Sequence, residues 1–332
     1  LRIIVDAMGG DHAPRAVLEG AALAIGSGGI DPASLLLVGR EEALRPLIEE
    51  LSLQPVEVVH AAEVISMDEP ASAAVRSKRG SSISVAMEAV ASGQGDAFVS
   101  AGNTGAVVAA ASVVLGRSKG VHRPGIAVPM PTQKGPCIVI DVGANIYCKP
   151  EHLQQYAIMA SEYCRAVFDK PTPEVGLLNI GSEEGKGGGF VSETHALLQA
   201  SDISYRGFIE GQDILSGAVD VVVCEGFVGN VILKVAEGLA KFVGQQVHNA
   251  FALHPPRNEV KTAVNEAFAS LDYAEYGGAP LLGVTAPVLI GHGRSSPHAV
   301  MNMIRAAGSL VEYGLNRHIA ERLAAQSGGV SP

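Results

Sequence analysis

The sequence predicts an α/β protein built on a largely parallel sheet. Short apolar runs alternate with longer helix-like segments, which is the pattern of strands joined by helical crossovers. Many of those runs end on Asp, Asn or Gly, as tight strand-to-helix turns require. The composition agrees: 39 glycines, 47% hydrophobic residues and only 17% charged residues among 332. A chain of that length can form one large α/β unit or two ordinary ones.

Taken in order, Ile3–Asp6 reads as a strand and Ala13–Ile25 as the helix after it. Strand Leu35–Val38, helix Glu41–Leu51 and strand Val56–His60 follow, then helix Ser82–Ala91 and strand Ala97–Val99. Thr104–Leu115 reads as a helix, Ile126–Met130 and Cys137–Asp141 as strands, and Glu151–Phe168 as a long helix. Beyond it come strand Val175–Asn179, helix Phe190–Leu198 and strands Gly207–Ile209 and Val219–Cys224. Asn230–Ala252 and Asn258–Ala269 read as consecutive helices broken at His254-Pro255-Pro256, because proline cannot continue a helix. Strand Val288–Ile290 and a long helix His298–Ala325 complete the pattern. No repeat or low-complexity linker divides the chain, so a single catalytic unit over 1–332 is expected. Residues 230–276 would project from it as a helical hairpin.

The bulk numbers exclude several functions. A net charge of −10 disfavours a nucleic-acid surface, and the absence of tryptophan argues against a base-stacking platform. Cys137, Cys148, Cys164 and Cys224 show no metal-type spacing and read as reduced, mostly buried thiols of a cytoplasmic protein. The chain enters a strand at once, so no secretory signal is expected. Its longest smooth apolar run, Ala106–Leu115, falls far short of the ~20 residues that span a bilayer. At most, the protein attaches to the inner face of a membrane.

Polar residues gather where strands end: Asp6, Asn103 with Thr104, Asp141 with Asn145, Asn179 with Lys186, Glu225 with Asn230, and His292. In an open parallel sheet such positions border the ligand crevice. The alternative is that Asn and Asp cap helices and turns there. The loop Asn179–Gly189, NIGSEEGKGGG, resembles a phosphate-gripping P-loop. It has one residue too few between its glycines, and no Ser or Thr follows Lys186 to hold magnesium. Gly116–Gly120 matches G-x-S-x-G, but no strand precedes it. No G-x-G-x-x-G follows the first strand, and Asp6, Asp11 and His12 read as a turn and helix start. No cofactor or metal site is therefore expected.

Long stretches resemble one family throughout: IIVDAMGGDHAP, SAGNTGA, HRPGIAVPMPT, IDVGANIYCKPEHL, LLNIGSEEGKG, FIEGQDILSGAVDVVVCEGFVGNVILK and YGGAPLLGVTAPVLIGHG. Together they are similar to the bacterial PlsX family of phosphate:acyl–acyl-carrier-protein acyltransferases. Ile146-Tyr147, Gly187–Gly189 and Cys224-Glu225 depart from that family's usual residues. The resemblance implies a three-layer α/β/α fold related to phosphotransacetylases and to isocitrate and isopropylmalate dehydrogenases. It implies a homodimer that moves an acyl group from acyl carrier protein to inorganic phosphate for phospholipid synthesis, with transient association at the membrane surface.

Phosphate is a competent nucleophile, so such chemistry needs positioning and electrostatic stabilisation, not an acyl-enzyme. Lys186 is the expected cation, Asn230 the oxyanion donor, and His292 the group that orients phosphate or protonates the leaving sulfur. Asn103, Thr104, Asn145 and Asn179 are expected to position substrate, with Asp6 and Asp141 holding the donors. Arg257, Lys261 and Lys241 form the best basic patch for an acidic carrier protein, and Phe251 and Leu253 an apolar tip for lipid. The rival readings are an acyl-CoA phosphotransacetylase, a metal-dependent hydroxy-acid dehydrogenase on the related fold, and a non-catalytic membrane scaffold.

Overall fold

The computed structural model describes residues 1–183, 185–269 and 276–328. Among the described residues, eleven strands form one sheet: β1 (Ile3–Asp6), β2 (Leu35–Gly39), β3 (Glu57–His60), β4 (Ala97–Ser100), β5 (Gly125–Met130), β6 (Cys137–Ile140), β7 (Glu174–Leu178), β8 (Ser204–Ile209), β9 (Val221–Val223), β10 (Ala279–Leu282) and β11 (Val288–Ile290). Their order is β3-β2-β1-β4-β11-β10-β5-β6-β9-β7-β8. Neighbours pair in parallel at both ends of the sheet. The pairs β11–β10, β10–β5 and β5–β6 are antiparallel. This seam reverses the sheet: β1 to β4 and β11 run one way, while β6 to β9 run the other.

Alternate residues of each strand enter different helical layers, as the period of two requires. Ile3, Val5, Leu35, Leu37, Val221 and Val223 pack with α1 (Arg15–Gly26), α6 (Pro150–Phe168) and α11 (Pro297–Tyr313). Ile4, Leu36, Phe98, Ile126, Val128 and Val222 face the opposite layer. That second layer holds α4 (Ser82–Ala91), α5 (Thr104–Ala110), α8 (Gly211–Ser216) and α9 (Gly226–Leu253). The architecture is thus three-layered, with a largely parallel sheet in the middle.

Several predicted boundaries move for physical reasons. The expected helix His298–Ala325 divides at Gly314, whose φ of +73° supplies a left-handed cap between α11 and α12 (Leu315–Gly328). The expected helix Thr104–Leu115 widens into a π turn over Ala111–Leu115. Strand β10 was not expected, because Pro280 and the flanking glycines weaken any strand signal. Two short helices, α3 (Ala71–Ser77) and α8, were likewise unforeseen. The hairpin consists of α9 and α10 (Asn258–Ala269), with Phe268 of α10 beside Gly244 of α9. The last residues assigned to it, 270–275, lie outside the described ones.

Helix α9 begins one turn before Asn230. A Cβ at Gly229 would lie 2.0 Å from the Asp141 carbonyl oxygen, and one at Gly226 would lie 2.4 Å from that of Asn145. The two glycines let the helix seat directly on the loop after β6. Gly229→Ala is therefore expected to destabilise the protein by about 1–3 kcal/mol or more. Gly211→Ala, which meets nothing within 4 Å, should stay within about 0.5 kcal/mol. Urea midpoints of the two variants check the contrast.

Candidate active site

A cavity of about 630 Å³ lies over the seam, on the face that carries α5 and α9. Its floor is apolar: Ile126 and Val128 from β5, Ala279 from β10 and Ile290 from β11. One wall is the first turns of α5, with Thr104 and Val108. The other is the first turns of α9, with Asn230, Leu233 and Lys234. His292, just past β11, closes one end. Because the sheet reverses, loops from oppositely directed half-sheets meet across this cleft.

The Asp141 carboxylate organises the α9 side. Its Oδ1 accepts N–H groups of Ile126 at 3.0 Å, Gly143 at 3.1 Å and Ala144 at 2.9 Å. Its Oδ2 accepts the Asn145 N–H at 2.8 Å and the Asn145 Nδ2 at 3.2 Å. Burial pushes this carboxyl up from the usual carboxylate range, and the N–H donors pull it back. Asn145 Nδ2 also reaches the Pro124 carbonyl at 2.6 Å and Tyr156 Oη at 2.8 Å. The Asn145 amide is thus committed to holding the loop.

Two further asparagines are committed in the same way. Asn103 caps α5 through its Oδ1, which accepts the Ala106 N–H at 3.0 Å. Its Nδ2 donates to the carbonyls of Ser66, Met67 and Glu69. Asn179 Nδ2 donates to the carbonyls of Gly181 at 3.0 Å and Lys186 at 3.1 Å, closing the glycine loop. Asn230 differs: it is exposed in the cleft wall beside Gly143, and its amide makes no hydrogen bond with another described residue.

His292 is half-buried, and its Nδ1 accepts the Arg294 N–H at 3.1 Å. That bond fixes the neutral ring's proton on Nε2, leaving a donor for the cleft. Lys186 does not line the cleft. Its Nζ pairs with Glu183 at 2.7 Å, and its side chain is 48% exposed. Its loop nonetheless leaves the same sheet edge as Asp141, two strand spacings or about 10 Å along. The cation that does line the cleft is Lys234, one turn beyond Asn230 and 3.1 Å from Glu237. Its i, i+4 relation to Asn230 is the sequence signal that could have found it.

Asp6, 1% exposed, lies under the other wall. Its Oδ2 accepts from Ser100 Oγ at 2.7 Å and its Oδ1 from the Met8 N–H at 3.1 Å. Lys241, Arg257 and Lys261 are exposed on the hairpin; Leu253 at its tip is 77% exposed, whereas Phe251 is half-buried. All four cysteines are free thiols. Burial pushes Cys137 and Cys164 up to about 12 and raises Cys148 and Cys224 as well. These thiols are therefore poor nucleophiles. No cluster of three or more metal-binding side chains occurs among the described residues.

Residues 1–318 match the family model described as "Fatty acid synthesis protein". The chain is 45% identical over 329 residues to the phosphate acyltransferase of Geobacter sulfurreducens, covering 97% of this chain and 94% of that one. It is also 45% identical to the phosphate acyltransferase of Desulfitobacterium hafniense, covering 97% and 98%. Among solved structures, the EutD phosphotransacetylase of Staphylococcus aureus superposes with a TM-score of 0.62 at 18% identity, covering 93% and 94%. The 4-hydroxythreonine-4-phosphate dehydrogenase of Klebsiella pneumoniae gives 0.51 at 15%, covering 96% and 99%. At those identities the two structures establish a shared fold.

Two expectations follow from the buried acids. In Asp141→Asn an amide NH₂ would face the donors of Asn145, so unfolding free energy should fall by about 1–3 kcal/mol and turnover with it. Urea titration and a rate assay read both. Burial raises the Asp6 pKa above its ordinary 3.8, with hydrogen bonds from Ser100 and Ser82 opposing. A carboxyl raised in the folded state contributes stability that is complete below the unfolded value and is lost as pH rises through the folded one. The stability of Asp6→Asn relative to the parent should therefore improve as pH rises above about 4, measured by urea midpoints across pH.

Proposed function

The chain belongs to the bacterial phosphate acyltransferase (PlsX) family, and from that premise we propose that its cleft transfers a fatty acyl group from acyl carrier protein to inorganic phosphate. A phosphate oxygen attacks the thioester carbonyl carbon, forming the C–O bond and an oxyanion. Collapse of that intermediate breaks the C–S bond, giving acyl phosphate and the carrier thiolate. With a thiol pKa near ~8.5 the thiolate leaves readily and takes its proton from solvent, while the His292 Nε2–H donates a hydrogen bond that orients the phosphate.

One observation carries the reading. Asn230 and His292 come from oppositely directed half-sheets yet border one cavity, and Asn230 alone of the asparagines singled out keeps its amide free. Asn230 Nδ2 is the donor to the oxyanion. The adjoining start of α9 has no side-chain cap, so its N–H groups favour an anion. Lys234 supplies positive charge in the wall. Lys186 reaches the phosphate by leaving Glu183 for the bound anion, a fuller charge than one exposed carboxylate offers. Thr104 adds a hydroxyl from the facing wall. Asp141, Asn145, Asp6, Asn103 and Asn179 hold these groups in place and do not touch the substrate.

The hairpin serves the partners. Lys241, Arg257 and Lys261 give an otherwise acidic chain a local basic face for an acidic carrier protein. Leu253 at the tip offers an apolar contact to a membrane surface; among the described residues no helix is long and apolar enough to cross one. Phe227, Val231, Val235, Leu239 and Phe242 form an exposed apolar stripe along α9, which suits a homodimer. The phosphotransacetylase fold also favours a second reading, with acyl-CoA as donor, which direct competition between the two thioesters decides.

The deciding assay is release of free carrier protein from its acyl thioester. It should depend strictly on inorganic phosphate and produce acyl phosphate in equal amount. Asn230→Ala should lower turnover at least ~100-fold. A Lys186→Ala rate within a few-fold of the parent would remove that lysine from the mechanism. Charge reversal in Arg257→Glu should raise KM for the acyl carrier more than KM for phosphate; equal effects would end its docking role.

A further inference from the structure

We infer that the acyl chain leaves the cleft past Leu233 and lies in a second, apolar groove along α9, which acts as a chain-length ruler. The inference rests on the acyl-transfer reading and specifies where the part of the substrate that does not react is held.

The groove encloses about 250 Å³ beside the cleft, and Leu233 lines both. Its other boundaries include Met130 at the end of β5, Leu215 of α8, Phe268 of α10, and Ala236 and Ala240 of α9. Two alanines on the half-buried face are what leave the groove open. Their methyl groups do not fill the space beside them, which most interiors would close by packing. Glu237, which also borders the groove, has its carboxylate held by Lys234 at 3.1 Å on the cleft side. Charge therefore gathers where the reacting ends of the substrate would sit, and the surface beyond is hydrocarbon.

Helix geometry separates this groove from the outward stripe. At 100° per residue, Leu233, Ala236 and Ala240 share one face of α9. Phe227, Val231, Val235 and Phe242 lie on the opposite one. Leu239 belongs to the stripe and also borders the groove, so a second copy of the chain covering the stripe would meet the groove along that one edge and leave its Leu233, Ala236 and Ala240 face free. From Leu233 to Val243, which also lines it, the groove follows α9 for about 15 Å. A saturated chain fits that length and surface, whereas a short acyl group would end within the cleft. Each methylene buried there strengthens binding roughly fourfold.

The test compares butyryl, octanoyl, dodecanoyl and hexadecanoyl thioesters of acyl carrier protein on the parent chain, Ala240→Phe and Leu215→Phe. The two variants obstruct the groove from different helices, and thermal melts establish that each is folded. In each folded variant the ratio of kcat/KM for hexadecanoyl over butyryl donor should fall about tenfold or more, the loss of roughly two buried methylenes. A ratio unchanged in both overturns the groove. Dodecanoate binding by calorimetry gives a readout independent of turnover: weaker binding in the variants supports the groove, and equal binding rejects it. Absence of phosphate-dependent turnover with every donor would instead remove the proposed reaction, leaving the dodecanoate result to decide the groove.

Discussion

The arrangement of the cleft depends on how one carboxylate, Asp141, is held. It sits at the end of β6, where its two oxygens accept N–H donors from β5 and from its own loop. Those bonds give the loop a fixed shape, and that shape is the surface on which α9 lands. Contact is so close that only glycine fits at 226 and 229. The next residue is Asn230. Its position at the cleft wall is therefore set by backbone-to-backbone contact, which varies less than any contact made through a flexible side chain. A reaction that relies on aiming a donor at a transient oxyanion gains most from such rigidity.

The reversal of the sheet explains why two distant parts of the chain share a site. In a purely parallel sheet, groups at strand ends line up along one edge. Here β10, β5 and β6 turn the direction over, and the helices α5 and α9 begin on opposite sides of the seam. The gap between them becomes the cleft, floored by apolar strand residues and walled by polar helix starts. Such a division suits a substrate with an apolar tail and an anionic partner. The buried, high-pKa thiols fit the same chemistry, since no covalent nucleophile is needed when phosphate itself attacks.

Most of the fold was legible because apolar period and turn residues agree along most of the chain. β1, β11 and α4 begin and end where the sequence places them. What failed was what tertiary contact decides. Gly226 and Gly229 read as loop residues because glycine weakens an isolated helix, yet close packing against Asp141 makes them the start of α9. β10 contains a proline and follows two glycines with positive φ, so its place in mid-sheet depends on neighbours remote in sequence. In the cleft, residue type singled out Asn230 and His292, which line it, but could not separate them from asparagines that cap and clamp. Asn103, Asn145 and Asn179 look the same in sequence; only their hydrogen bonds show that they hold backbone. Lys186 drew attention through its glycine loop, while Lys234 was hidden in an ordinary helical run.

Helix α9 joins these constraints. Its first turn meets the Asp141 loop, its half-buried face lines the groove, and its opposite face is an exposed apolar stripe. Besides the polar row of Asn230, Lys234, Glu237 and Lys241, the helix carries two apolar faces, and each of these is stabilised by an apolar occupant. The loop covers one end, and the outward stripe suits a second copy. The groove face carries Ala236 and Ala240, whose small side chains leave an apolar void beside the cleft. An apolar void kept open beside a reactive cleft leaves surface exposed that burial would otherwise stabilise. That loss is offset only when something apolar occupies the void during function. In the proposed reaction the acyl chain is the apolar part of the substrate, tethered to the carbonyl that the cleft would receive.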